Sequence, residues 1–212
     1  MKHKSTIAVL GAGGRTGKFV VSELVQQGYP IKALLRKPEL FTFQHPLIEI
    51  VKGDAIDLDS IRTLISGCDA VISTIGQRKD EPLVALKATQ NILQAMKENN
   101  VDRYILVAGI NVDTPFDKKS AQTLVATDYM KAQFPTIHED RQRTYALLAN
   151  YQLAWTLTRV PLIEFTGDRP ELKVSLEDCP GMKITAGNIA GFLVRQLTDK
   201  NFIRKSPFIS ND

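Results

Sequence analysis

The stretch Thr6-Ile7-Ala8-Val9-Leu10-Gly11-Ala12-Gly13-Gly14-Arg15-Thr16-Gly17 decides the fold. Its first half, residues 6–10, is a short apolar run stopped by a glycine, the pattern of a parallel strand buried on both faces. Its second half is a glycine-rich turn. Beyond it, Gly17, Val20, Val21, Leu24, Val25 and Gly28 recur at helical spacing, one face of an amphipathic helix that Gly28 is placed to end. A glycine cluster alone often does no more than reverse the chain. Between a buried strand and a helix it is the setting that holds a pyrophosphate. Gly11 permits the tight turn, Gly13 and Gly14 let backbone approach the anion, and Gly17 lets the helix lie close to the sheet. The free N–H groups of the first helical turn, with Arg15 and Thr16, then face the phosphates.

A mononucleotide phosphate loop fails at two positions. It requires glycine five residues before Gly17, where Ala12 stands, and a hydroxyl residue after Lys18, where Phe19 stands. A dinucleotide is the expected ligand.

Outward from this loop, strand-like and helix-like patterns alternate. Strands are predicted at 31–35, 48–51, 70–74, 104–108 and 154–160, with a short one at 173–176 and a last one near Phe208. Helices are predicted at 58–65, 82–98, 138–150 and 188–197, and residues 109–135 read as a looser stretch. In the 82–98 helix, Ala85, Ala88, Ile92, Ala95 and Met96 form the buried face. Such β-then-α repeats predict one α/β domain over 1–212, a Rossmann-type, doubly wound, mostly parallel sheet with helices on both faces. Its C-terminal third is expected to form the substrate pocket.

The end of the second predicted strand, Leu34-Leu35-Arg36-Lys37, separates the two nicotinamide cofactors. An NAD site places Asp or Glu there to accept from the ribose hydroxyls. Here a guanidinium, 19 residues beyond Gly17, suits the 2′-phosphate of NADP. NADP(H) is therefore expected over NAD(H). Arg15 reads either as a second phosphate ligand or as a solvated side chain. Ligands gather outside the carboxyl ends of parallel strands, which adds Asp54 and Ala55, Thr74-Ile75-Gly76 with Arg78 beyond, and Ala108-Gly109 to the candidate cofactor set.

With 27 Lys and Arg against 23 Asp and Glu, the chain carries +4. The basic residues are scattered and not interleaved with aromatic ones, so no nucleic-acid platform is predicted. The apolar run 7–10 is too short for a signal segment or membrane span, and a cytoplasmic location is expected. Cys68 and Cys179 have no metal-like spacing and read as reduced thiols; no metal is expected.

These residues together resemble the atypical short-chain dehydrogenases of the NmrA-like, NAD(P)H-binding family, most of all its biliverdin-IXβ reductase and NADPH-dependent flavin reductase branch. The resemblance is carried by residues 11–17, Ala33-Leu34-Leu35-Arg36, Gly53-Asp54-Ala55, and Cys68-Asp69-Ala70-Val71-Ile72 with Gly76 and Arg78. It continues through Asn91-Ile92, Val101-Asp102-Arg103, residues 153–161, Ile184-Thr185 and Asn188-Ile189-Ala190. It implies a Rossmann fold and hydride chemistry. Two departures narrow that chemistry. Carbonyl-reducing members use a Tyr-x-x-x-Lys pair, and none of the five tyrosines here has a lysine four positions on; Tyr145 is followed by Ala149. Where the family's fifth strand often ends in a hydroxyl residue, this chain reads Val107-Ala108-Gly109-Ile110.

Reduction of a flat conjugated acceptor (a flavin, quinone or tetrapyrrole) survives those losses, since the accompanying proton can come from water. Asn111, Phe116, Pro161 and Phe165 are the candidate pocket residues for that acceptor. His138 is the one candidate proton donor, weighed against an ordinary surface-helix histidine. The other open reading is a non-catalytic NADP(H)-binding redox sensor that changes its hold on a partner protein. The short chain, with little room for a partner-binding module, leans toward the enzyme.

Overall fold

The computed structural model describes residues 4–77 and 81–211. Arg78, expected at the phosphates, lies outside the described residues. The chain runs β1 (Ile7–Leu10), α1 (Gly17–Gln26), β2 (Ile31–Leu35), β3 (Ile48–Lys52), α2 (Leu58–Ile65), β4 (Ala70–Ser73), α3 (Ala85–Glu98) and β5 (Arg103–Gly109). It continues through α4 (Ala121–Gln133), α5 (Pro135–Ala149), β6 (Ala154–Val160), β7 (Leu162–Glu164), β8 (Lys173–Ser175), β9 (Lys183–Thr185), α6 (Ala186–Arg195) and β10 (Phe208–Ser210).

Eight strands form one sheet in the order β3-β2-β1-β4-β5-β6-β10-β8, parallel except for β8, which runs antiparallel to β10. β1 lies between β2 and β4, with Ile7 paired to Ile31 on one side and to Ala70 on the other. Its four residues are fully buried, so both faces must be covered. Helices α1 and α6 pack together over one face, above Ile7, Val9, Val20, Leu24, Ile189 and Leu193. Helices α2, α3 and α5 cover the other, above Ala8, Leu10, Ile61, Ile92 and Leu148. The strand order reverses between β1 and β4. A crevice therefore opens beyond their carboxyl ends, where ligands of open α/β sheets bind.

Three features depart from the sequence expectation. Residues 121–133, within the stretch read as loose, form α4. Its polarity is inverted: Thr123 and Thr127 are buried while Val125 and Tyr129 lie exposed, which hides the helical period. The buried threonines meet polar partners, Lys119 Nζ lying 3.3 Å from Thr127 Oγ1. A two-stranded parallel ribbon, β7 with β9, also went unpredicted; three residues per strand are too few to display a period. Finally, α3 starts at Ala85 rather than Pro82. Its first turn is capped from α5, where the Asp140 carboxylate accepts from Ala85 N at 2.9 Å and Leu86 N at 3.4 Å.

Burial pushes both thiols up to about 11, so Cys68 and Cys179 are inert at neutral pH. Among the described residues no helix is long and apolar enough to cross a membrane.

Candidate functional site

The loop after β1 is built for close backbone approach. Gly11 has φ +79°, and a Cβ there would stand 2.7 Å from Thr74 Oγ1. That hydroxyl donates to Leu10 O at 3.3 Å and Gly11 O at 3.4 Å, tying the end of β4 to the loop. A Cβ on Gly17 would stand 1.9 Å from Gly11 O, so α1 begins against the turn itself. Gly14 N donates to Gly11 O at 2.8 Å, closing the turn. Thr16, at the N-cap, makes no side-chain cap. The N–H groups of Gly13, Arg15 and Thr16 have no intramolecular partner among the described residues. A helix N-terminus with open amides and partial positive charge fits a pyrophosphate.

These residues border a cleft of about 720 Å³ that runs along the carboxyl ends of the strands, within the ordinary range for cofactor and ligand sites. Of the residues expected at the cofactor, Gly11, Gly13, Gly14, Arg15, Thr16, Arg36, Lys37, Asp54, Ala55, Thr74, Ile75, Gly76, Ala108 and Gly109 line it. Gly17 lies behind the loop, its role being helix contact. Ala55 is fixed from below by Asn91 of α3, whose Nδ2 donates to Ala55 O at 3.1 Å. Asp54 accepts from Ile56 N at 3.2 Å. Arg15 lies over the Phe165 ring, 4.1 Å from its centroid.

The expected acceptor residues divide. Pro161 and Phe165 line the cleft, with Val107, Val160 and Ile163 beside them. Asn111 and Phe116 do not. Asn111 is buried, its Nδ2 3.1 Å from His138 Nδ1, and Phe116 is 74% exposed on the outer loop. His138, on α5, is likewise absent from the lining. Burial, with Lys131 nearby, lowers its pKa, and its ring pairs with Asn111. The candidate proton donor thus lies apart from the described cleft lining.

Three contributors were not expected from the sequence. Arg141 of α5 enters the cleft wall and donates from Nη2 to Ile75 O at 2.7 Å. Burial lowers its pKa, yet a guanidinium stays charged at neutral pH. Glu81 stands opposite Arg36, whose Nη1 and Nη2 donate to its Oε2 and Oε1 at 2.8 and 3.0 Å. Those bonds raise the Arg36 pKa further. Arg159 of β6, fully buried, anchors the loop after β5. Its Nη1 donates to both Asp117 oxygens, at 2.7 and 2.8 Å, and to Val112 O at 3.0 Å. The one charge in strand β6 was its visible signal. Arg141 and Glu81 gave none, lying among other charges of solvated appearance.

The family model described as NAD(P)H-binding matches residues 11–200. Cinnamoyl-CoA reductase 1 of Petunia hybrida is 28% identical over 131 residues, covering 56% of this chain and 39% of that protein. The chain thus spans less than half the length of curated relatives it matches. A short-chain dehydrogenase/reductase from Veillonella parvula, solved in complex with NADP, superposes with TM-score 0.79 at 14% identity over 98% of this chain and 95% of that one. A Streptococcus pneumoniae protein proposed to be an NADH-flavin reductase superposes with TM-score 0.79 at 20% identity, over 98% and 100%. A Rossmann sheet, an open-amide glycine loop and a family match over most of the length lead to one conclusion: the chain belongs to the NAD(P)H-binding family.

Proposed function

We propose that this protein is an NADPH-dependent reductase of a flat conjugated acceptor, a flavin, quinone or tetrapyrrole. The observation that carries the reading is the composition of the cleft beyond the ends of β4 and β5. Its described lining there includes Ile75, Gly76, Val107, Ala108, Gly109, Val160, Pro161 and Ile163, with the guanidinium of Arg141 in the wall. Small and apolar walls suit stacked rings, and no carboxylate, histidine or tyrosine stands among these described residues. The likeness to a protein proposed as an NADH-flavin reductase supports the same reading.

The open amides of Gly13, Arg15 and Thr16 would hold the pyrophosphate, and Arg36 would take the 2′-phosphate. When bound, the nicotinamide supplies a hydride. The walls set the stacking distance and exclude water from the rings. No side chain need donate the accompanying proton, which comes from water. Arg141 contributes a fixed positive charge where the acceptor gains negative charge, the preorganised stabilisation that suits a site without an acid.

Loss of NADPH absorbance on addition of FMN, riboflavin or a quinone is the test. Turnover with at least one is expected. Tight NADPH binding with no turnover across the panel would instead mark a redox sensor.

A further inference from the structure

Arg36 and Glu81 form a two-point contact at the ribose end of the cleft, and both line it. Asp54 Oδ2 stands 3.9 Å from the same Arg36 Nη1. One guanidinium therefore faces two carboxylates. Glu81 is not a stray surface side chain. Its backbone is held by Gln77, whose Nε2 donates to Glu81 O at 2.9 Å and Pro82 O at 3.2 Å. That hold places a carboxylate from the β4–α3 connection across the cleft from the end of β2.

A carboxylate and a phosphate present paired oxygens to a guanidinium in the same forked geometry, so only one can occupy it. We propose that Glu81 is a cofactor-selecting residue: its carboxylate occupies the Arg36 fork and must leave before the 2′-phosphate of NADPH can bind. NADH, lacking that phosphate, leaves the pair intact and meets in Glu81 an acceptor for its ribose hydroxyls. Arg36 favours NADPH, and Glu81 narrows the margin. The inference rests on the dinucleotide reading given above.

The cost of release is small. The Arg36 and Glu81 side chains are 40% and 38% exposed, and an ion pair this open favours the closed arrangement by no more than about fivefold. The displaced carboxylate and Asp54 also repel the incoming phosphate. Apparent affinity is reduced by the fraction of chains whose fork is occupied, so neutralising Glu81 tightens NADP⁺ selectively.

Calorimetric titration of wild type, Glu81→Gln and Glu81→Ala with NADP⁺ and with NAD⁺ tests this without turnover. The ratio of the Kd for NAD⁺ to that for NADP⁺ is expected to rise about three- to tenfold in both variants. Placed in an Arg36→Met background, Glu81→Gln should raise the ratio by less than it does with Arg36 present, because the part of the effect that acts through the fork is then gone. A ratio that is unchanged or lower in the single variants, in a chain that binds NADP⁺ as wild type, overturns the selecting role alone. A wild type that binds neither nucleotide overturns the dinucleotide reading and this inference with it. Thermal melts matching wild type verify that the variants fold.

Discussion

Gly17, the first residue of α1, lies so close to the Gly11 carbonyl that a methyl group on it would stand 1.9 Å from that oxygen. The helix is thus seated on the turn that precedes it, and the same contact sets the height of the open amides.

Gly17→Ala should damage both fold and binding. The contact is with backbone that is itself fixed by Thr74, so relief requires the loop or α1 to shift. Overpacking of this kind costs about 1–3 kcal/mol. Urea denaturation should show that loss, and calorimetry should show NADP⁺ binding weakened at least tenfold. Wild-type affinity in the variant would mean that the loop does not set the phosphate site.

Arg159→Met should be more destabilising than any substitution on the cleft rim. It leaves Asp117, itself nearly buried, without its two-point partner, although Lys119 remains 3.7 Å away. Removing one member of a buried pair costs about 3–5 kcal/mol. Chemical denaturation reads the loss directly, and a cost below about 1 kcal/mol would contradict the anchoring role.

Arg141→Met should separate binding from turnover. The residue touches Ile75 in the wall and leaves the glycine loop alone, so NADPH affinity should change less than about threefold. The rate of acceptor reduction should fall about 10²–10³-fold, as for loss of one donor that stabilises developing charge. Stopped-flow kinetics beside fluorescence titration of NADPH measures both; an unchanged rate sinks the assignment.

Stability should fall as the solution is acidified through the histidine range. Burial, then Lys131 and to a lesser degree Lys119, hold the His138 pKa below its ordinary value, with Asp113 opposing. The unfolded chain therefore binds this proton first, from about pH 6.5 downward. Stability is whole above that pH and declines below it until the folded pKa is passed. Protonation also costs the contact with Asn111, since both facing nitrogens then carry hydrogens. Thermal melts between pH 7 and 5 should show a shallower decline in His138→Asn than in wild type; parallel curves would contradict the linkage.

How much of this was legible in the sequence follows from how each signal is encoded. Strands β1, β4 and β5 show as largely apolar runs because the centre of a sheet covered on both faces requires continuous hydrophobicity. The glycine turn was equally plain, its residues being demanded one by one by local backbone geometry. Helix α4 was hidden because it buries threonines and exposes Val125 and Tyr129, the reverse of the usual pattern. The start of α3 depends on Asp140, 55 residues from Ala85, and no local rule supplies a cap from that distance. The cleft divides in the same way. Arg36 sits where strand-end logic placed it, while Glu81, its partner 45 residues on, appears only in three dimensions. Phe116 was expected over the acceptor from its place after β5; the pull of Arg159 and Lys119 on Asp117 and Asp113 folds that loop so that the ring faces outward.

The central claim is that backbone amides after β1 receive the pyrophosphate and Arg36 receives the 2′-phosphate. Calorimetry of wild type and Arg36→Glu with NADPH and with NADH tests it most directly. Loss of a charge-assisted contact worth about 1.5–3 kcal/mol should weaken NADPH by about ten- to a hundredfold and leave NADH within a few-fold of wild type. Equal losses for both nucleotides, or no heat with either in the wild type, would contradict it.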